Sequence, residues 1–84
     1  MPDHPHVAIA KRLKRASGHL ESIIEMIEQQ RPCAEIAQQL QAVEGAIENA
    51  KKALIHDHFS HSFKGSGARA KALLRDFELI AKYL

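Results

Sequence analysis

Tryptophan is absent from this 84-residue chain, aromatic residues make up 5% of it, and there is one cysteine. The lone cysteine excludes an internal disulfide, and an unpaired thiol fits a reducing, cytoplasmic compartment. No apolar run approaches the roughly 20 residues of a membrane span, so no membrane partner is expected, and no secretory signal pattern opens the chain. The formal net charge of +2 is too small to mark a nucleic-acid binder by composition alone. What is present is a hydrophobic fraction of 45%, dominated by Ala, Ile and Leu, which suits closely packed helices rather than a sheet. One domain, 1–84, is expected. A chain this short buries only about 60–65% of its unfolded surface, so a core shared between copies is expected before any motif is read.

The opening MPDHPH has two prolines and no apolar period, and reads as a flexible tail over 1–6. From there Ile9, Leu13, Ala16, Leu20, Ile23 and Ile27 follow alternating steps of four and three, which predicts a helix over 7–29. Pro32 stands where proline is tolerated, in a first helical turn. Cys33, Ile36, Leu40, Val43, Ile47, Ala50 and Leu54 carry the same spacing onward, predicting a second helix over 32–63. Gly65-Ser66-Gly67 reads as a turn. Leu73, Phe77, Ile80 and Leu84 then predict a third helix over 68–84. The fold class is all-α. The second helix would be about 45 Å long, and nothing else in the chain is long enough to cover it. The simplest solution is a hairpin of the first two helices that pairs with a second hairpin as an antiparallel four-helix-bundle dimer. Periodicity alone fits a plain helical adaptor equally well.

Chemistry-bearing residues sit at the two ends of the second helix. Cys33 lies on the apolar seam, where a small core residue and a ligand are both open readings. His58 and His61, three apart, share a face as metal-binding histidines on helices do, while His56 lies on another side. Leu54, His58 and His61 continue the Cys33 seam within one residue of register, and imidazoles placed where leucines are expected need polar partners. Cys33 and His58 are 25 residues apart, about 37 Å along a helix, so they cannot chelate one ion within a protomer. In an antiparallel dimer they meet from opposite chains, twice, across the subunit interface. Such a site suits an effector that shifts how protomers sit.

These residues carry a resemblance. The chain resembles the CsoR/RcnR/FrmR family of copper-, nickel/cobalt- and formaldehyde-responsive repressors, over about Ile9 to Leu84. The match rests on R-L-K-R-x-x-G-H-L at Arg12 to Leu20, Cys33, I-A-Q-Q-L-x-A-V at Ile36 to Val43, H-x-H-F-x-x-x-F from His56, and E-L-I-A-K-Y-L at the C-terminus. It implies an all-helical dimer that pairs into a dimer-of-dimers tetramer, with no helix-turn-helix. It also implies a metal site at Cys33 and His58. The third ligand of that pattern falls on Ser62, a departure that removes the second thiolate of the copper(I) sensors. His61 can substitute on the same face, and His4 and His6 stand where nickel/cobalt members use their tail. A thiolate with imidazoles suits nickel, cobalt or zinc better than copper(I), so nickel or cobalt is the preferred inducer. In the rival formaldehyde reading, removal of Met1 exposes the amine of Pro2, which formaldehyde bridges to Cys33, although the tail is two residues shorter than in those members. By the same resemblance Glu78, 20 residues past His58, supports that histidine from behind. A solvated carboxylate is the plainer reading.

Residues 11–15 hold four cations, and no acid occurs from His4 to Leu20. Lys11, Lys14 and Arg15 share one helical face with Arg12 beside it, and Lys51 and Lys52 are expected to extend the patch across the hairpin. Charge runs are often merely solvated, but Arg12 and Lys14 fall on basic positions of the family motif, which points to double-stranded operator DNA held through phosphates. An enzyme is not expected, since no oxyanion hole or orienting third group accompanies Cys33 and a histidine. A metal-storage protein would use the same ligands and have no need of the basic face.

Overall fold

The computed structural model describes residues 6–62 and 70–84, with the side chains of His61 and Ser62 outside that description. The described residues form three helices: α1 (Val7–Glu28), α2 (Cys33–Ser62) and α3 (Ala70–Ala81). None of these residues lies in a strand, and no helix among them is long and apolar enough to cross a membrane. The expected turn at Gly65–Gly67 lies outside the described residues.

α1 ends where the chain turns left-handed. Gln30 has φ 59°, Arg31 N–H donates to the Met26 carbonyl at 3.0 Å, and Gln30 N–H donates to that of Ile27 at 3.0 Å. This pair of bonds is the Schellman termination, in which glycine is the usual occupant of the left-handed site. Pro32 then lies just outside α2 rather than within its first turn. Its carbonyl accepts the N–H groups of Glu35 at 3.0 Å and Ile36 at 3.2 Å, starting the helix in which proline itself cannot donate. The two helices fold back as an antiparallel hairpin, with Ile9, Ala16 and Ile23 of α1 and Val43, Ala50 and Ile55 of α2 buried, and with Phe59 buried further along α2 beside Phe77 of α3.

The seam read from the sequence splits in two. Ile23 is 1% exposed, but Leu13, Leu20 and Ile27 in the same register remain exposed, as do Leu40, Ile47 and Leu54 on α2. At about 100° per residue, Leu13 and Leu20 lie roughly 40–80° to one side of Ala16 and Ile23. Leu40, Ile47 and Leu54 are offset in the same way from Val43 and Ala50. Both helices therefore present an uncovered apolar stripe along the same edge of the hairpin, with a groove between them lined by Leu13, Ala16, Leu20, Val43 and Ile47.

α3 adds little depth. It is tied to α2 by Phe77, whose ring lies 5.4 Å from that of Phe59, and by Asp76, which meets His58. Leu74, Leu79 and Leu84 stay more than half exposed. The molecule measures 57 × 33 × 13 Å, so its thin dimension is close to one helix diameter. A layer of helices buries its apolar face only against another layer, and this chain supplies one.

Candidate metal centre and nucleic-acid interface

Cys33 is the first residue of α2 and is exposed, its thiol free. Glu35, two residues on, bonds Arg31 at 2.7 Å, an exposed pair that contributes a few tenths of a kcal/mol at most. His58 lies near the other end of the helix, half-buried, on the edge that carries Leu40, Ile47 and Leu54. The two donors stand on one uncovered stripe at opposite ends, and the ~37 Å of helix between them keeps them apart within a chain. Among the described residues, no group of three His, Cys, Asp or Glu side chains converges on a point that would hold a metal. The donor chemistry fits a transition metal, and within one copy Cys33 and His58 are too far apart to share one.

His58 Nε2 hydrogen-bonds the Asp76 carboxylate of α3. A carboxylate on one ring nitrogen fixes the ring's orientation and leaves Nδ1 as the nitrogen open to a ligand. Glu78, expected behind His58, is exposed, and it is Asp76 that meets the imidazole. Glu78 lies about 160° round α3 from Asp76, at about 100° per residue, so the two cannot both face α2. His6 closes the N-terminus of α1 and lines one groove with Lys51, Leu54, His58, Ile80 and Tyr83. Tail and helix imidazoles thus border the same space. His56 points elsewhere, with its side chain 80% exposed. His4 and Pro2 lie outside the described residues, as do the side chains of His61 and Ser62.

The basic residues separate by environment. Lys51 is 3.2 Å from the Glu48 carboxylate and Lys52 is 4.0 Å from it, so the α2 pair is partly neutralised. Among the described residues no carboxylate pairs with Lys11, Arg12, Lys14 or Arg15. Lys51 also borders the His58 groove instead of extending the α1 patch, because on α2 it lies about 160° from Asn49, the residue that faces Arg12 and Arg15. The groove those arginines line also includes His19, Ala46 and Asn49. A charge count along the chain passes over His19 and Asn49, since neither carries a formal charge.

Residues 6–83 match the family described as metal-sensitive transcriptional repressors. The chain belongs to that family. Among known relatives, the copper-sensing transcriptional repressor CsoR of Mycobacterium ulcerans is 37% identical over 59 residues, covering 70% of this chain and 50% of the relative. CsoR of Bacillus subtilis is 36% identical over 73 residues, 81% of this chain and 72% of its own. The copper-sensing repressor RicR of Mycobacterium tuberculosis is 36% identical over 52 residues, 62% of this chain and 54% of its own. The chain spans about half the length of most of these curated relatives. No solved structure matches. The family consists of repressors, not enzymes.

Proposed function

We propose that this repressor-family chain binds operator DNA as an oligomer of hairpins and releases it when a transition metal bridges Cys33 of one copy to His58 of another. The observation that carries this reading is the placement of both donors on one uncovered apolar stripe. A second hairpin laid antiparallel on that stripe covers Leu20, Ile47 and Leu54 and brings each Cys33 to the other copy's His58. His61, His6 and His4 supply further imidazole nitrogen, with Asp76 backing His58 and Glu78 available to a neighbouring copy. Lys11, Arg12, Lys14 and Arg15 supply the phosphate contacts, with Lys52 at their edge. Two such dimers pairing into a tetramer would span a longer operator.

A single thiolate with imidazoles favours nickel or cobalt, with zinc close behind, and the serine at position 62 withholds the second thiolate that copper(I) prefers. The copper(I) reading rests on the relatives, each of which is named a copper sensor. Formaldehyde bridging Pro2 to Cys33 needs no His58. Fluorescence anisotropy of the reduced protein on its own upstream DNA, titrated separately with nickel, cobalt, copper(I) and formaldehyde, tests all of these. Release by nickel or cobalt at near-stoichiometric levels, abolished in both Cys33→Ala and His58→Ala, is the expected result. Release by copper(I) alone replaces the inducer, and release by formaldehyde that survives His58→Ala replaces the site. Absence of DNA binding at low salt removes the repressor reading for this chain in favour of metal storage.

A further inference from the structure

Ala16 faces α2, and the strip of α1 turned directly away from it carries Lys11, Lys14, Gly18, Glu21 and Glu25, all exposed and within about 80° of one another. Three features of this strip work against α1 on its own. Its charges are segregated, with Lys11 and Lys14 in the N-terminal half, Glu21 and Glu25 in the C-terminal half, and no Lys or Arg between Arg15 and Arg31. Cations thus sit at the positive end of the helix dipole and acids at the negative end, the reverse of the stabilising order. Lys11 and Lys14 are also three apart and Glu21 and Glu25 four apart, spacings at which like charges repel. Among the described residues no ion pair relieves any of the four. Gly18, the twelfth of the 22 residues of α1, is the third feature. Glycine in mid-helix is less stable than alanine, yet its φ is not positive and a Cβ would meet nothing within 4 Å. No neighbour among the described residues calls for the missing side chain.

We propose that a second copy of this chain docks on this strip, α1 against α1 antiparallel about a two-fold axis through Gly18, with each Lys11 meeting the other copy's Glu25 and each Lys14 its Glu21. Lys11 and Glu25 are each seven residues from Gly18, about 10 Å along the helix, so reversal lays opposite charges over one another. Lys14 and Glu21 lie four and three residues from it and match in the same way. At the crossing point the two glycines let the backbones approach, which shortens the reach of all four ion pairs. A two-fold contact of this kind is self-complementary and needs no other partner. It shares no residue with the apolar stripe, so it can join copies already paired there. Exposed ion pairs make it weak and salt-sensitive. The contact also occupies Lys11 and Lys14. On the DNA-binding reading above, docked copies and operator DNA therefore exclude each other, and repressor in excess of its operators is held face to face until DNA releases it.

The test is sedimentation velocity of the reduced, metal-free protein without DNA, over a concentration series in low and in high salt. Wild type should show a mass step above its stripe-paired oligomer at low salt, and lose it at high salt. Lys11→Glu and Glu25→Lys should each abolish that step. The double variant Lys11→Glu/Glu25→Lys, which keeps the wild-type net charge, should restore it. Gly18→Leu should also abolish it while the melting temperature stays the same or rises, because leucine is the better helix former and open space surrounds the position. A wild type without the low-salt step, or a double variant as dispersed as the single ones, overturns the proposal. If Gly18→Leu keeps the step but weakens operator binding, the glycine serves a DNA phosphate and the docking assignment falls. Operator duplex titrated into the low-salt assembly should disperse it, and duplex that binds without dispersing it overturns the mutual exclusion. If no duplex binds while the step and its charge-swap rescue persist, the self-contact stands and it is the repressor reading that falls.

Discussion

Gln30 holds φ 59°, a conformation in which its Cβ crowds the following carbonyl at a cost of about 1 kcal/mol. Gln30→Gly should therefore stabilise the protein by up to about 1 kcal/mol, read as a higher urea midpoint at unchanged m-value. No glycine marks this turn in the chain, so the Schellman ending was hidden while the helix it ends was plain. Asp76 was hidden for another reason. The resemblance offered Glu78 alone, while Asp76 stands on nearly the opposite side of the same helix, and telling them apart requires knowing which side of α3 meets α2. Asp76→Asn removes the charge behind His58 while keeping the shape, and isothermal titration should show metal affinity falling about 10- to 100-fold, with Glu78→Gln affecting it less. Equal losses in the two variants would mean that assembly rearranges this pair.

At the scale of elements, the helices and their order were legible because little besides a helix sets apolar residues alternately three and four apart. Which half of each seam the hairpin keeps for itself was not legible, since Ile23 and Leu20 have the same chemistry and adjacent registers. The division follows from how the two helices roll against each other, a property of the pair that neither pattern contains. The Phe59–Phe77 contact and the His58–Asp76 bond help attach α3 to α2. Phe77→Ala deletes a half-exposed ring, so a cost of about 1–2 kcal/mol is expected, below that of a fully buried phenylalanine. Hydrogen exchange should register it locally, with amides of 70–81 exchanging faster and those of α1 and the first half of α2 unchanged. Loss of protection throughout α1 instead would make α3 part of the central fold.

At the scale of the whole molecule, the family was legible from four short motifs and one cysteine. The inducer was not, because a sequence names donors without pairing them, and Cys33 and His58 stand at opposite ends of one long helix. The uncovered stripe is the most direct handle on assembly. Ile47→Glu places a charge in its centre, and sedimentation should show the oligomer dissociating, with operator affinity falling at least tenfold as fewer phosphates are held at once. Equal oligomeric mass in variant and wild type would locate the contact elsewhere, and a monomeric wild type would remove the assembly reading. The 13 Å thickness has a further consequence. If such a slab gains most of its burial on meeting a second copy, as proposed above, its folding becomes second-order in the chain itself. Diluting the protein should lower its melting temperature progressively, where a self-sufficient domain would be indifferent. In a cell, newly made chains would survive only above a threshold of supply, so the rate of synthesis, and not intrinsic durability, would set how much repressor persists.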